Sequence, residues 1–294
     1  MRLLLSRPRR ALSSSVKAKM SQTYETLKTR QEGAVLLVEI HAPPMNLIGP
    51  ELIRDLVSLI EVLDRGEPYK VVVFSSGDPA FFISHVDVTK IREYREAAAK
   101  LTGEASIGML FRRLSQTKAV TIAQVDGCVR GAGSEFVMAC DMIFAAKETA
   151  IFSQMEAAFG LVPGGGGVQH LTRRLGRARA LEVLLSADDY DADLAERYNW
   201  INRALPAAEL GPFVSKLAHR IAKFPAIGHA VIKERVNAID LAPAEEFRRD
   251  SDLFGEAVRE PDAQQRVQAA IKLGYNESRE AEMTLGHLLG NLPE

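Results

Sequence analysis

Two short, β-branched apolar runs, AVLLVEI (residues 34 to 40) and KVVVFSS (70 to 76), end in turn residues and enclose a stretch with a different period. Within GPELIRDLVSLIEVLD, Leu52, Ile53, Leu56, Leu59, Ile60 and Leu63 recur at spacings of three and four. That spacing is one face of a helix, and Pro50 suits its first turn. Apolar runs this short and continuous read as strands buried on both faces. Strand, helix, strand then implies a parallel crossover. The order repeats with a polar helical region from about residue 88 to 116, the strand AVTIAQV, a turn, a helix through Met138 and the strand MIFAA. Such repetition predicts an α/β fold. From about residue 176 the strands are expected to stop, and ARALEVLLSA and FVSKLAHRIAKF predict helices. The expected organisation is an α/β core over 23–175 and a helical C-terminal region over 176–294.

With 294 residues and 47% hydrophobic content, the chain can bury a large core. Its 37 basic and 38 acidic residues leave a formal charge of −1, so no overall field draws it to nucleic acid or an anionic membrane. An anionic ligand has to be held locally. Cys128 and Cys140 are the only cysteines and are not spaced for metal, which excludes a disulfide framework and fits a reducing compartment. Every apolar stretch is cut by charge, Gly or Pro before the roughly 20 residues a membrane span needs. The first residues, MRLLLSRPRRALSSSVKAKMSQTY, carry four Arg and two Lys with no acid before Glu25. That composition suits a mitochondrial transit peptide over residues 1–22. A basic tail on a cytoplasmic protein, or an upstream extension before a start at Met20, has the same composition.

Three stretches rich in glycine or small residues invite chemistry. GAGSEF (131 to 136) follows a strand and opens a helix, but Phe136 stands where a dinucleotide fingerprint needs a third small residue. PGGGGVQH (163 to 170) lacks the Lys-Ser/Thr pair of a phosphate loop, and Ser134 is not in G-x-S-x-G. The six histidines are scattered, without metalloprotease spacing. What remains is VRGAGSEFVMACD (129 to 141), whose small residues leave N–H groups accessible at a helix N-terminus with Glu135 just behind them. That arrangement suits an oxyanion hole. A second acid, Glu156, stands before the glycine-rich turn in IFSQMEAAFGLVPGGGG. A local cap or salt bridge at Glu135 and a solvated loop acid at Glu156 are the plainer roles for the same residues.

Taken together, AFFISHVD, VRGAGSEFVMACD and FSQMEAAFGLVPGGGGVQHLTRRLGRARALEVLLS resemble the three signature stretches of the enoyl-CoA hydratase/isomerase, or crotonase, superfamily. YDADLAERYNWINRALP is similar to a later one, and the resemblance covers roughly residues 24 to 240. It implies a spiral of ββα turns with a helical C-terminal region, assembled as trimers or hexamers. It further implies an acyl-CoA thioester as ligand, with no metal and no cofactor beyond the coenzyme A that the substrate carries. By position, Ser84 and Ala132 match the two residues whose N–H groups form the family's oxyanion hole. Glu135 and Glu156 match the two hydratase glutamates, and Gly164 matches a glycine that helps hold the reacting water. His85, Val86 and Asp87 fall in the same substrate-binding loop.

The chain departs from that pattern in several places. His85-Val86-Asp87 replaces Gly-Ala-Asp, so that His85 either adds a polar group beside the thioester or turns aside, and Asp87 has a helix N-cap available. Arg130 either reaches a coenzyme A phosphate or lies on the surface. Met155 replaces a proline, the link from Asp141 to Glu156 is one residue longer, and the tail NESREAEMTLGHLLGNLPE is unlike the family's usual ending. Retention of both glutamates favours hydration of a trans-2-enoyl-CoA over Δ3/Δ2 isomerisation, and the departures leave a noncatalytic acyl-CoA-binding protein as a third reading.

Overall fold

The computed structural model describes residues 23–65 and 68–292. The chain opens with an antiparallel pair, β1 (Leu27–Glu32) and β2 (Val35–Ile40), which turns at Gly33 with φ +61°. Helix α1 (Pro50–Asp64) buries the apolar face read from its spacing and returns the chain to β3 (Val71–Ser76), parallel to β2. Three-residue β4 (Phe81–Ile83) follows, then α2 (Ile91–Thr102), α3 (Ile107–Ser115), β5 (Val120–Val125) and β6 (Cys128–Arg130). Next come α4 (Ala132–Ala139), β7 (Met142–Ala146), β8 (Ile151–Ser153), a 3-10 turn over Glu156–Phe159, α5 (Gly167–Leu175) and α6 (Arg177–Ser186). Beyond them lie β9 (Tyr190–Asp191), α7 (Ala192–Arg197) and β10 (Arg203–Leu205). The chain finishes with α8 (Ala207–Ala222), α9 (Ala226–Asp240), α10 (Ala244–Ala257), α11 (Pro261–Lys272), α12 (Arg279–Met283) and α13 (Leu285–Gly290).

The strands form two sheets, ordered β1-β2-β3-β5-β7-β10 and β4-β6-β8-β9. Each successive turn lays one strand in each, β3 with β4, β5 with β6 and β7 with β8, so the chain winds as a spiral of ββα turns. The expected α/β spiral and parallel crossovers are therefore present. The helical region past residue 176 is not free of strands: β9 completes the smaller sheet beside β8 and β10 completes the larger beside β7. Two- and three-residue strands are too short to show an alternation, and β1, exposed from Lys28 to Gln31, has no apolar run to read. The polar region from 88 to 116 is two helices, broken at Gly103 with φ +77°.

All eight residues of α4 are buried. Phe136 meets Phe74 and Phe111 edge-on, with ring centroids at 5.1 and 5.6 Å. A Cβ on Gly133 would lie 2.5 Å from the Ile83 carbonyl oxygen, so glycine is what lets this helix pack against β4. The packing draws the N-terminus of α4 and Glu135 inside the molecule.

Candidate active site

A cavity of about 320 Å³ opens at the N-terminus of α4. Its floor holds Ala132, Glu135 and Glu156, and Val86, His85 and Gly164 also line it. Six of the eight residues singled out by the resemblance thus share one cavity. Ser84 and Asp87 lie outside the lining: Ser84 is fully buried and directs its N–H (3.3 Å) and its hydroxyl (2.8 Å) to the Met45 carbonyl. Asp87 does not cap α2, whose N-cap is Lys90 without a side-chain bond; it accepts the Thr89 N–H at 3.0 Å instead.

Each acid is positioned by the chain's own turns. Gly131, at φ +50°, starts α4, and Ala132 is its first residue, so the Ala132 N–H belongs to the first turn and has no acceptor within the helix. One turn on, Glu135 Oε1 accepts the N–H of Gly165 at 2.8 Å and of Gly167 at 2.7 Å. The glycine-rich stretch is therefore a carboxyl clamp, and a Cβ on Gly165 would come within 2.3 Å of Glu135 Oε2. Gly164 contributes by smallness as well, since a Cβ there would lie 2.8 Å from the Phe254 side chain on α10. Glu156 opens the 3-10 turn, and Gln154 Nε2 donates to both of its carboxyl oxygens at 3.1 Å.

Both acids hold their protons well beyond the ordinary carboxyl range. Burial pushes Glu135 up to about 8, the Glu156 charge adds to it, and the two glycine N–H groups work against it. Burial likewise pushes Glu156 up to about 7, opposed by hydrogen bonds and by the charge of His85. Two acids titrating against each other near neutral pH share one proton there, one member charged and the other neutral. That state can take a proton from one reactant and give one to another, beside a helix terminus that stabilises negative charge. A solvated loop acid does not describe Glu156, which is buried, and Glu135 is bound by N–H groups 30 and 32 residues away rather than by a local salt bridge.

The remaining wall comes from elements whose facing was not readable. Ile91, Tyr94 and Arg95 of α2 and Ile107 of α3 face the cavity, and α10, α11 and Tyr275 close the other side. Tyr275, Gln154 and Glu282 had no signal of their own in the sequence, although Glu282 lies in the unusual tail. His85 turns its ring to Glu282, Nε2 to Oε1 at 2.9 Å. Arg130 neither lies on the surface nor reaches outward: it is fully buried and grips Asp189 with Nε at 2.7 Å and Nη2 at 2.9 Å. Among the described residues no group of three or more His, Cys, Asp or Glu side chains is placed to hold a metal ion.

A spiral α/β fold that brings two buried acids and a helix N-terminus onto one cavity is an arrangement suited to acid/base chemistry. The enoyl-CoA hydratase/isomerase family model matches residues 30–283, and the chain belongs to that family. It is 29% identical to a probable enoyl-CoA hydratase of Mycobacterium tuberculosis over 85% of this chain and 96% of that one. It is also 29% identical to the mitochondrial enoyl-CoA hydratase of Pongo abelii, with 77% of each chain covered. A crystal structure from Streptomyces avermitilis, described as that of a candidate enoyl-CoA hydratase, superposes with a TM-score of 0.92 at 50% identity, covering 94% of this chain and all of that one.

Proposed function

We propose that this protein is an enoyl-CoA hydratase, adding water across the double bond of a trans-2-enoyl-CoA. The observation that carries the reading is the pair of buried, mutually coupled acids, Glu135 and Glu156, on one cavity with Ala132. Hydration needs a proton taken from water as its oxygen bonds to C3, and a proton delivered to C2. As water bonds to C3, the C2–C3 π pair shifts to C1–C2 and the carbonyl π pair moves onto the thioester oxygen; when the proton reaches C2, the oxygen pair re-forms the carbonyl and the C1–C2 pair makes the new C–H bond. Glu135 and Glu156 divide the two proton transfers, and the Ala132 N–H receives the developing oxyanion. Backbone donors of this kind contribute on the order of 10²- to 10³-fold each. Ser84 supplies the second donor when substrate arrives. Its 3.3 Å N–H bond to Met45 is long, and the 2.8 Å hydroxyl bond keeps that carbonyl satisfied when the N–H turns away. His85, Val86 and Gly164 bound the acyl-thioester, with Asp87 supporting the loop from outside. Coenzyme A enters as part of the substrate, and the reading calls for no metal or other cofactor.

The test is spectroscopic. Hydration removes the absorbance of the conjugated enoyl thioester. Gain of conjugation from a 3-enoyl-CoA would instead make the protein an isomerase, and saturable coenzyme A binding without turnover would make it a binding protein. Two further features belong to the same reading. Assembly is a homotrimer or hexamer, supported by the outward apolar stripe of α9. The compartment is the mitochondrial matrix, supported by the basic, acid-free start of the chain, which lies outside the described residues. Retention in the cytosol of a fluorescent fusion of residues 1 to 30 would place the protein in the cytoplasm instead. Among the described residues no helix is long and apolar enough to cross a membrane.

A further inference from the structure

His85, Met155 and Arg130 all meet the C-terminal segment that differs from the family's usual ending. The His85 ring stacks on Tyr275, centroids 4.4 Å apart, and its Nε2 bonds Glu282. Arg130 Nη1 donates to the Glu282 carbonyl at 2.9 Å while the same guanidinium holds Asp189. Met155 packs in one apolar cluster with Tyr275, Leu285 and Leu289. Asn276, in the left-handed region at φ +69°, completes the clasp: its N–H donates to Glu282 Oε1 at 2.7 Å and its side-chain oxygen accepts the Val88 N–H at 3.1 Å. The unusual loop and the unusual tail are thus one structure, which meets the cavity at His85, Met155 and Tyr275.

The hydrogen bonds around His85 bear on its charge. Nδ1 lies 2.7 Å from the Val86 carbonyl oxygen, which can only accept, so Nδ1 carries a proton. Nε2 lies 2.9 Å from Glu282 Oε1, an oxygen already accepting the Asn276 N–H. Burial alone would raise the Glu282 carboxyl, but the His85 charge and hydrogen bond, the Asn276 N–H and Arg130 outweigh it and hold the group below its usual range. The Asn276 N–H and Arg130 favour the ionised Glu282 independently of His85, and an ionised Glu282 would accept from Nε2 as well, the arrangement of an imidazolium.

We propose that His85 is a positioning residue of the active site: a buried imidazolium, held by Glu282 of the C-terminal segment, that stabilises Glu156 as the ionised member of the glutamate pair. The two flank one glycine, since a Cβ placed on Gly131 would lie 3.2 Å from Glu156 Oε1 and 3.7 Å from His85 Cβ. Both side chains line the same cavity, and a positive charge on His85 works to lower the Glu156 titration. Glu156 also meets the influence of Glu135 from α4, whose charge favours its proton, and of the neutral phenols Tyr94 and Tyr275; Gln154 donates to it and Arg95 lines the cavity further along α2. Around His85 stand Glu282 and Tyr275 from the tail, Asp87 from its own loop and Arg130 from β6. The single proton of the pair is biased toward Glu135, and a residue of the far C-terminus sets which acid is charged.

The inference rests on the hydratase reading for its kinetic consequence but not for its charge assignment, so the test has two arms. In the whole protein labelled with ¹⁵N-histidine, with the His85 signals identified by their loss in His85→Gln, both ring nitrogens are expected to be protonated at neutral pH. One nitrogen should lose its proton in Glu282→Gln. A neutral His85 in the unaltered protein overturns the proposal, whether or not any variant folds. In the second arm, ¹³C-carboxyl NMR follows Glu156, identified against Glu156→Gln, alongside the pH dependence of hydration. His85→Gln should move the Glu156 titration and the acid limb of kcat/KM upward by about one pH unit. The His85→Gln/Glu282→Gln double variant keeps a neutral hydrogen-bonded pair that docks the tail, and it should show the same shift. A uniform loss of kcat with an unmoved limb and an unmoved Glu156 titration would make the pair purely structural and overturn the proposal. If the unaltered protein shows no hydration at all, the functional reading fails, while the two NMR titrations still decide the electrostatic one.

Discussion

Glu135 is buried because the helix that carries it is buried on every side, and a carboxyl in that position survives because two backbone N–H groups bind it and burial keeps its proton on. Replacing either glutamate by glutamine keeps the size and one oxygen for hydrogen bonding while removing the proton. Each single change is expected to lower kcat for hydration by at least about 10²-fold, and the double change by far less than the product, because the two acids share one task. Steady-state kinetics on folded variants checks this, and undiminished hydration in Glu135→Gln would refute the acid/base assignment. Gly165→Ala makes a sharper demand on geometry. Its Cβ would press to 2.3 Å from Glu135 Oε2, so the carboxyl must swing away from the cavity. An exposed-site substitution would cost little; here kcat is expected to fall by about 10²-fold, as a misplaced catalytic group does, with the far-ultraviolet circular dichroism unchanged.

At the scale of elements, α9 is attached backwards. Its polar residues point in: Lys233 reaches the Asp141 carboxylate and the Ala119 carbonyl, each at 2.8 Å, and Asn237 donates to the Ser115 carbonyl at 2.9 Å. Its apolar residues point out, with Ile232 66%, Val236 55% and Ile239 85% exposed at spacings of four and three along one stripe. An apolar stripe of this kind is what a cyclic assembly would bury. Light scattering at micromolar concentration is expected to show a trimer or hexamer for the unaltered chain and a smaller species for Ile232→Asp/Ile239→Asp. A monomeric unaltered chain would refute the assembly.

For the whole molecule, the raised titrations of Glu135 and Glu156 tie stability to pH. The native state keeps protons on these acids that the unfolded chain releases near pH 4.5, until the pH passes about 7 and about 8. Between those limits the native state binds more protons, so this contribution to stability is greatest at the acid end, falls as pH rises, and is exhausted above about 8. The Glu135→Gln/Glu156→Gln double variant lacks the loss. Its Tm advantage over the unaltered protein is expected to grow from pH 5 to pH 8 and then level off, measured by calorimetry in parallel buffers. A constant difference across that range would show that the acids titrate normally.

Much of this protein was legible as local chemistry. The period-three-and-four spacing of α1, the continuous runs of β2, β3, β5 and β7, the break into helix at Ala132 and the acids at 135 and 156 are all properties of neighbouring residues, which the local backbone expresses directly. The three-residue strands of the smaller sheet, with β9 and β10, were not legible, because so short a strand exists only through its partners. The site divided along the same line. Ala132, Glu135 and Glu156 could be chosen from their motifs, but Ser84's bond to Met45, the clamp of Gly165 and Gly167 and the inward turn of Arg130 depend on residues far away in sequence. The clearest case is His85, 197 residues from Glu282. A sequence can show that the loop and the tail are out of pattern, but only close packing in the folded chain makes His85 and Glu282 one buried hydrogen-bonded pair, since a buried polar group needs a partner.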